Sequence, residues 1–471
     1  MALADASSRS GPGADGAPIS SFSLPGRPRL FYYPAINVVS LDEHDTRLLR
    51  ASEEFGPTLF RLFRGLRTLR ALKQCASPPE RLFVEPSRSC NLACTYCYAE
   101  AGPEFRKRLD LEAVSALVRR YNFNDVSILG GEPLVDKGFV QAVHDLKPWG
   151  TFFLSTNGIL AGPEFLSRVV DSPASNVQVS IEPREWTSRV TRGGTRQLDL
   201  MQGKLKLFRG PGYALRVTIP PDAPYVPLKD FIDEVGRQVE SDDFSISYWS
   251  AIGSALPTWL NRWIEEAYAI LRDDVDGKYR KKLPGSATAA NLFSKVGFRF
   301  HFCDAAFGAI AIGPDRKLHG CHINAIMERG TDVVSSDADP LELDQKKVLE
   351  VAYRWTSNMS AEACARCAMR YMCGGMCFLI TPPVADCDYL SKVFPLILTE
   401  LNRYEPEEVS VVVERTQRVF EELFALRQEY ESEVASDRWS HLLAGKLPVQ
   451  EALDLADAVG VRTIRAEASL L

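Results

Sequence analysis

Residues 81–100 read RLFVEPSRSCNLACTYCYAE and combine a strand pattern with a cysteine-rich loop. The apolar and aromatic run at 81–86 predicts a buried strand. Cys90, Cys94 and Cys97 follow it, spaced C-x3-C-x2-C. Three thiolates this close suit one metal centre better than disulfides. A structural zinc site would need a fourth ligand nearby, and no Cys or His occurs in the next twenty residues. The loop therefore favours a cubane [4Fe-4S] cluster with one iron unligated by protein, as a catalytic cluster requires.

Five more runs of the same kind follow this strand, at 125–130, 151–156, 176–181, 214–219 and 243–249. The chain between successive runs is long enough for a crossover helix, and one such helix is predicted to start at Asp110, a good N-cap. This α/β alternation predicts parallel strands with right-handed crossovers. Six strands are fewer than the eight of a closed barrel, so a partial (β/α)6 barrel and an open doubly wound sheet both fit. In either fold, functional groups should gather at the carboxyl ends of the strands.

The composition is that of an ordinary globular protein. The 471 residues are 45% apolar and 25% charged, which excludes a fibrous or wholly disordered chain. The formal charge is 55 − 61 = −6, so no basic field indicates a nucleic-acid partner. No apolar run approaches the ~20 residues of a membrane span, and the first 20 residues lack the apolar core of a secretory signal. We therefore expect a cytoplasmic protein without a membrane partner, in which clustered thiols bind metal.

The pattern along the chain predicts six segments. In order, we expect a disordered tail at 1–20, an α/β accessory segment at 21–80, the partial barrel at 81–255, bridging helices at 256–300, a small metal-stapled domain at 301–395 and a helical region at 396–471. In the accessory segment, an apolar helical pattern is interleaved with Arg61, Arg64, Arg67 and Arg70. We interpret it as an amphipathic helix whose arginines face water. A peptide-docking module with a basic face is the alternative.

The cysteine loop, with an aromatic residue before its third cysteine, resembles the signature of radical S-adenosylmethionine (radical SAM) enzymes. Two further family marks stand at strand ends, namely Gly130-Gly131-Glu132-Pro133 and Ser155-Thr-Asn157. Adjacent glycines let the backbone approach a ligand closely, and a carboxylate pairs well with an ammonium group. At the fourth strand, Ser180-Ile-Glu182-Pro183 stands where the family often has Ser-Leu-Asp-Gly. This departure leaves Ser180 as a candidate contact and puts a role for Glu182 in doubt.

This resemblance implies that SAM binds beside a [4Fe-4S] cluster held by Cys90, Cys94 and Cys97. The SAM contacts that it implies are Tyr98, Gly130, Gly131, Glu132, Ser155, Asn157, Ser180 and Arg192. Glu132 and its backbone would bind the methionine amino group, and Arg192 would pair with the carboxylate. In the family, the cluster passes one electron to SAM, which splits into methionine and a 5′-deoxyadenosyl radical that abstracts hydrogen from the substrate.

Seven further cysteines lie downstream, at Cys303, Cys321, Cys364, Cys367, Cys373, Cys377 and Cys387. Their spacing resembles the SPASM extension of radical SAM proteins, which usually carries two auxiliary [4Fe-4S] clusters and would bring the total to three. Zinc ribbons are the alternative. The resemblance implies one cluster held by Cys364, Cys367, Cys373 and Cys387, and another held by Cys303, Cys321 and Cys377. The fourth position of the second is either open to substrate or filled by a side chain such as His301, Asp304, His319 or His322. The remaining Cys75 is expected to be a buried or idle thiol.

Peptide maturation is the commonest role among SPASM proteins. The resemblance therefore implies an oxidoreductase that crosslinks a ribosomally made precursor peptide, with flavodoxin or ferredoxin as electron donor. A sulfatase-maturating enzyme and a small-molecule dehydrogenase remain alternatives, and a non-catalytic iron–sulfur electron carrier is the alternative from another class. His322 follows Cys321, where sulfatase maturases tend to have Asp. We regard it as a candidate proton acceptor, although a structural hydrogen bond would explain it equally well.

Overall fold

The structure is a computed structural model. It describes residues 18–20, 26–183, 189–220, 223–241, 244–248, 259–273, 278–279, 282, 308–328, 333, 339–356, 364–368, 370–371, 398–399, 401, 406–425 and 427–459. The chain divides into two compact units. The helical unit comprises Met1–Lys73, Thr258–Cys303 and Ala352–Leu471, and the sheet unit comprises Gln74–Pro257 and Asp304–Val351.

The strands within the described residues are, in chain order, β1 (Ile19–Ser20), β2 (Phe31–Tyr33), β3 (Val38–Ser40), β4 (Arg81–Val84), β5 (Asp125–Ile128), β6 (Thr151–Thr156), β7 (Ser175–Ile181), β8 (Tyr213–Ile219), β9 (Ser245–Tyr248), β10 (Ala309–Ile312) and β11 (Leu318–His319). The α-helices are α1 (Thr46–Cys75), α2 (Leu111–Tyr121), α3 (Lys137–His144), α4 (Pro163–Val169), α5 (Gln197–Leu200), α6 (Leu228–Val239), α7 (Leu260–Asp273), α8 (His322–Met327), α9 (Gln345–Thr356), α10 (Pro406–Ala425), α11 (Arg427–Val434), α12 (Asp437–Leu443) and α13 (Val449–Ala458).

The sheet unit is built on one eight-stranded sheet. Strands β4 to β9 pair in chain order, and every pair is parallel. Each of the six predicted runs coincides with one of these strands to within two residues at either end, so the predicted partial barrel is confirmed. Alternate residues of β6 are buried, because successive side chains of a strand point to opposite faces. The parallel arrangement brings the carboxyl ends of six strands to one edge of the sheet.

Two strands that were not predicted extend this sheet beyond β4. Strand β10 pairs with β4 in parallel, and β11 pairs with β10 in antiparallel. All four residues of β10 are buried, as expected for a strand covered on both faces. Its short Ala-Ile-Ala-Ile run lies in the cysteine-rich segment predicted from residue 301, yet the sheet unit extends to Val351. The compact units thus divide the chain at other positions than the predicted segments, whose boundaries remain a prediction.

The crossover helix α2 forms where the sequence predicts it. The Asp110 carboxylate accepts a hydrogen bond from the Ala113 amide, which satisfies one of the free amides at the helix start. Ala113, Val114 and Leu117 are buried along one face. The helix ends at Asn122, whose φ of 49° lies in the left-handed region that commonly closes helices.

The helical unit contains α1 and a small antiparallel sheet of β1, β2 and β3. Residues 1–17 of the predicted tail lie outside the described residues, but Ile19–Ser20 already pairs with β2. Arg61 is exposed, as predicted, whereas Arg67 is buried and Arg64 and Arg70 are half-buried.

The prediction that the arginines of α1 face water is therefore wrong for Arg67. The reason is that α1 is covered on more than one side. The ring of Trp439 lies against Gly65, where an added Cβ would approach it to 1.9 Å. The ring of Tyr371 packs edge-on against Phe63, with centroids 5.1 Å apart.

Candidate active site

Polar residues gather at the carboxyl edge of the parallel sheet. Glu85 follows β4 directly, Gly130 comes two residues after β5, Asn157 follows β6 and Glu182 follows β7. Because these strands are parallel neighbours, the four residues stand along one edge. This edge is where the fold predicts functional groups.

The loop after β4 carries the three cysteines. Cys90 is buried, and Cys94 and Cys97 are partly exposed. The Leu92 amide donates to Cys90 Sγ (3.4 Å), and the Ala101 amide donates to Cys97 Sγ (3.5 Å). Hydrogen bonds to sulfur stabilise thiolate charge and help to set the potential of an iron–sulfur cluster.

These thiols are free, and two of them are hard to ionise. Burial raises the pKa of Cys90 to about 12 and that of Cys94 to about 11. Metal binding must therefore displace their protons. Within the described residues, no group of three or more Cys, His, Asp or Glu could hold a single metal ion. A three-cysteine cubane site does not need such a group, because each thiolate binds a different iron. Free thiols with amide donors to sulfur fit a [4Fe-4S] cluster.

Two glycines allow the end of β5 to lie directly against the cysteine loop. The Gly131 amide donates to the Ser87 carbonyl (2.9 Å), and the Glu132 amide donates to the Ser89 carbonyl (2.9 Å). A Cβ at Gly131 would lie 2.4 Å from the Ser89 oxygen, so only glycine permits this approach. Gly130 has a φ of +112°, which also favours glycine. The two glycines thereby fix the backbone on which the cysteines are mounted.

Glu132 is turned toward the end of β6. Its Oε1 accepts from the Leu134 amide (2.9 Å) and from Thr156 Oγ1 (2.6 Å), and its Oε2 accepts from the Asn157 amide (2.7 Å). Burial raises the pKa of Glu132, although these hydrogen bonds work in the opposite direction. The side chain thus ties the ends of two neighbouring strands together. Its contact with the amino group of SAM stays a prediction.

Asn157 links the end of β6 to the cysteine loop, since its Nδ2 donates to Asn91 Oδ1 (2.8 Å) and lies 4.0 Å from Cys90 Sγ. Gln197 has no signal in the sequence, yet its Nε2 donates to the carbonyls of Asn157 and Ser180, both at 2.7 Å. This amide joins the ends of β6 and β7. Ser155 and Ser180 each stand one residue before the end of their strand.

The structure brings a different arginine to this edge from the one that was predicted. Arg192 is largely exposed and pairs with Glu104 (2.6 Å). Arg189 is buried, where its Nε donates to Tyr96 Oη (3.1 Å) and its Nη1 donates to the Ser180 carbonyl (2.6 Å). Burial alone would lower the pKa of Arg189, but Tyr96, Cys94 and Glu182 more than offset it and the pKa is raised. A permanent positive charge is therefore held beside Cys94.

A second group of polar residues joins the end of β4 to the start of α8. Nδ1 of His322 lies 3.3 Å from Glu85 Oε1, and the Tyr98 ring meets the His322 ring edge-on at 5.9 Å. Burial raises the pKa of Glu85 and of Tyr98. The Tyr98 hydroxyl also hydrogen-bonds the Gly130 backbone. Glu85 was not predicted as a site residue, because a single acidic residue at a strand end has no distinctive pattern.

Residues 84–196, about a quarter of the chain, match the profile of the radical SAM superfamily. The chain contains a radical SAM domain. The match runs from the last residue of β4 to the residue before α5, and it includes the cysteine loop, the glycine pair and Asn157. A radical SAM domain implies SAM and one [4Fe-4S] cluster as cofactors.

Curated relatives share part of the length of this chain. A GTP 3′,8-cyclase of Alkaliphilus metalliredigens is 26% identical over 260 residues, covering 49% of this chain and 77% of that protein. A GTP 3′,8-cyclase of Heliobacterium modesticaldum is 34% identical over 110 residues, covering 21% of this chain and 33% of that protein. Six further cyclases are covered over 27% to 40% of their length, so the chain spans about a third of most of these relatives.

Among solved structures, native anSMEcpe with bound AdoMet and the Cp18Cys peptide aligns with a TM-score of 0.51. The two proteins are 13% identical, and the alignment covers 71% of this chain and 99% of the other. At this identity the likeness concerns the fold alone, and it extends well beyond the residues that match the radical SAM profile.

Only some of the remaining cysteines of the chain are among the described residues. Cys321 is buried at the start of α8. In the helical unit, Cys364 begins one helical turn and Cys367 follows it. Cys303, Cys373, Cys377 and Cys387, and with them His301 and Asp304, lie outside the described residues. His319 pairs with Asp315 (2.9 Å). Burial raises the pKa of Cys75 to about 12, in keeping with a buried thiol. The ligands of the auxiliary clusters remain predictions.

None of the described helices combines the length and apolarity needed to cross a membrane. The cytoplasmic location stays a prediction.

Proposed function

We propose that this radical SAM protein oxidatively crosslinks a ribosomally made precursor peptide, with flavodoxin or ferredoxin as electron donor. The proposal includes two auxiliary [4Fe-4S] clusters in the segment 301–395. The peptide would lose two hydrogen atoms in all. When bound, SAM and its cluster supply the 5′-deoxyadenosyl radical that removes one hydrogen, and the other leaves as a proton and an electron that an auxiliary cluster accepts.

The observation that carries this proposal is the extent of the fold likeness to anSMEcpe. The radical SAM profile covers about a quarter of the chain, whereas the likeness covers 71% of it and nearly all of the other protein. That structure contains a bound peptide together with AdoMet. A scaffold shared over this length supports a substrate of the same class.

The residues of this chain would divide the work at the sheet edge. Cys90, Cys94 and Cys97 would hold the cluster, and the buried position of Cys90 keeps water from that side. Glu132 and Gln197 fix the strand-end loops relative to one another through hydrogen bonds to backbone. Preorganised loops of this kind hold a cofactor in one orientation without further ordering cost.

A second candidate function is the conversion of GTP, since the curated relatives are named GTP 3′,8-cyclases. This candidate rests on sequence identity of 26% over about half of the chain. We prefer the peptide because the fold likeness covers 99% of anSMEcpe, whereas most cyclase alignments cover about a third of those proteins.

The test begins with anaerobic reconstitution of the full chain. About twelve irons per chain are expected if three cubane clusters form, and about four if only one forms. After reduction, release of 5′-deoxyadenosine from SAM is measured by chromatography. Zinc in place of iron, or iron without SAM cleavage, would contradict the enzyme proposal.

The substrate is then tested by co-expression with a short peptide encoded next to the gene. A mass loss of two hydrogens in that peptide is expected, and tandem mass spectrometry would locate the crosslink. In parallel, the reduced enzyme is incubated with GTP and SAM. Consumption of GTP with an unchanged peptide mass would replace the peptide proposal with the second candidate.

A further inference from the structure

Arg370 is a buried arginine that follows the Cys364–Cys367 turn in the helical unit. Only 5% of its surface is exposed. Its Nε donates a hydrogen bond to the Pro34 carbonyl (3.1 Å), and its Nη1 donates to the Ala365 carbonyl inside the turn. A guanidinium can join two acceptors in this way because its donors point in fixed directions. One side chain therefore links the turn to the predicted accessory segment 21–80.

The backbone of the turn leads directly to this arginine. The Cys367 amide donates to the Cys364 carbonyl (3.1 Å), and the Arg370 amide donates to the Cys367 carbonyl (3.2 Å). Both thiols are partly exposed. Two thiols of a Cys-x2-Cys turn with this access fit one metal centre. Arg370 is thus attached to the candidate ligands through its backbone as well as through its side chain.

The residue after Arg370 makes a second attachment to the same segment. Tyr371 is fully buried, and its Oη donates to the Ala35 carbonyl (3.0 Å) in the connection between β2 and β3. The Arg370 guanidinium lies 5.5 Å from the ring centre of Tyr371 and 5.9 Å from that of Phe60 on α1. Aromatic faces attract a cation at such distances. The positive charge of Arg370 is therefore held in one place.

A second positive charge reaches the turn from α1. Arg64 is half-buried. Burial lowers the pKa of Arg64, and so does Arg61 to a smaller extent, whereas the charge of Cys364 acts in the opposite direction. The guanidinium of Arg64 is thus close enough to Cys364 for their charges to interact. Among the described residues, no carboxylate forms an ion pair with Arg64 or Arg370, so their charges are available to the cysteine turn.

We propose that Arg370 is a positioning residue for an auxiliary cluster on Cys364 and Cys367, and that its charge, together with that of Arg64, makes this cluster easier to reduce. The inference rests on the proposed function, which supplies the cluster and the substrate electron that it accepts. Thiolate ligands and an added electron bring negative charge, so fixed positive charge nearby raises the potential. The segment 21–80 contributes Arg64 and the carbonyl that holds Arg370.

The experiment is a redox titration of the reconstituted full chain, followed by electron paramagnetic resonance. The signal that changes when SAM is added belongs to the SAM-binding cluster, and the remaining signals report the auxiliary clusters. In Arg370→Gln, which keeps a donor but loses the charge, the reduction equilibrium constant of one auxiliary cluster should fall about tenfold, which corresponds to about 59 mV. Arg64→Gln should lower the potential of the same cluster by less, because water screens a half-buried charge.

Three controls separate charge from fold. Arg370→Lys keeps the charge and should restore most of the potential that Arg370→Gln loses. Tyr371→Phe removes the hydrogen bond to Ala35 without a change of charge, so the potential should stay at its wild-type value. Arg50→Gln removes an exposed charge paired with Glu54, about 21 Å along α1 from Arg64. It should leave every signal unchanged.

An unshifted potential in Arg370→Gln with full iron content would overturn the inference. Equal shifts in Arg370→Lys and Arg370→Gln, or in Arg50→Gln and Arg64→Gln, would also overturn it. If Arg370→Gln does not retain the cluster, Arg64→Gln decides the matter, and an unchanged potential there would be the contradicting result. These outcomes leave the proposed function standing. A wild-type protein with about four irons per chain would instead overturn the auxiliary clusters of the proposed function, and this inference with them.

Discussion

The carboxyl edge of the sheet and the surroundings of helix α1 both contain buried side chains, but different contacts hold them together. At the sheet edge, Glu132 and Gln197 make hydrogen bonds to backbone groups of neighbouring loops. Around α1, aromatic rings such as Tyr371 and Trp439 fill the space between elements. Hydrogen bonds specify direction as well as distance, whereas apolar burial is non-directional. This difference indicates that hydrogen bonds at the sheet edge fix the geometry of the site, whereas apolar packing around α1 contributes mainly to the stability of the fold.

The largest effect is expected from Cys94→Ala. Loss of one of the three thiolates should abolish 5′-deoxyadenosine formation, because the cluster would lose one of its protein ligands. The fold should survive, since Cys94 is partly exposed. Chromatography of 5′-deoxyadenosine and circular dichroism check the two statements.

The matched control is Cys75→Ala, which removes a buried thiol at the end of α1. It should retain SAM cleavage in the protein that folds. Equal loss of SAM cleavage in Cys94→Ala and Cys75→Ala would contradict the expectation that cleavage depends on the sheet edge and not on the end of α1.

Gly131→Ala should be almost as damaging to the site. The new Cβ would lie 2.4 Å from the Ser89 carbonyl oxygen, so the cysteine loop has to move. We expect most of the iron content to be lost after reconstitution, with a much smaller change in the thermal unfolding temperature. The control is Gly193→Ala in an exposed loop, where the nearest atom outside the adjoining residues would be 3.8 Å away. Iron analysis would contradict this expectation if Gly131→Ala and Gly193→Ala both contained the wild-type amount of iron after reconstitution.

Gly65→Ala tests the packing around α1. Its Cβ would meet the ring of Trp439 at 1.9 Å, and overpacking of this kind costs about 1–3 kcal/mol. The free energy of unfolding in urea should fall, while the folded fraction should still take up iron. Gly138→Ala places the same methyl group in the first turn of α3 with its nearest contact at 3.6 Å, so it should be neutral or slightly stabilising. The expectation would be contradicted if Gly65→Ala lost most of its iron content while its free energy of unfolding stayed near that of the wild-type protein.

The smallest effect concerns pH. A cysteine with an ordinary pKa of 9.0 ionises in the unfolded chain, but in the folded protein without metal Cys90 ionises only near pH 12. The folded state therefore favours the thiol, and its contribution to stability is present below pH 9 and is lost between pH 9 and about 12. By pH 10 the loss should reach about 1 kcal/mol relative to Cys90→Ala, measured by urea unfolding under reducing conditions. The loaded protein should not show this difference, because metal holds the thiolates ionised.

The features that could be predicted are those that depend on residues close together in the sequence. Six strand runs and the N-cap of α2 follow from alternation and from the residue types at element ends. The cysteine spacing likewise indicates a metal site, because three thiols within eight residues are close in space whatever the rest of the chain does. In contrast, β10 escaped prediction because four apolar residues are too few to distinguish a strand from a short core segment. The burial of Arg67 escaped as well, since a helical pattern shows one apolar face but not how many neighbours will cover the helix.

The sequence by itself indicates the class of cofactor, because the thiols spaced C-x3-C-x2-C and the Gly130-Gly131-Glu132 segment both resemble the radical SAM signature. Only the tertiary structure decided which side chains share the site. Arg189 rather than Arg192 is buried beside Cys94, and Glu85 rather than Glu132 keeps a carboxylate oxygen without a partner within the described residues. Spacing along the chain is local information, whereas hydrogen-bond satisfaction depends on groups that come together from distant strands. The cysteine loop alone therefore indicates the cofactor class. The contacts of that loop depend on the parallel sheet, which brings the ends of the other strands beside it.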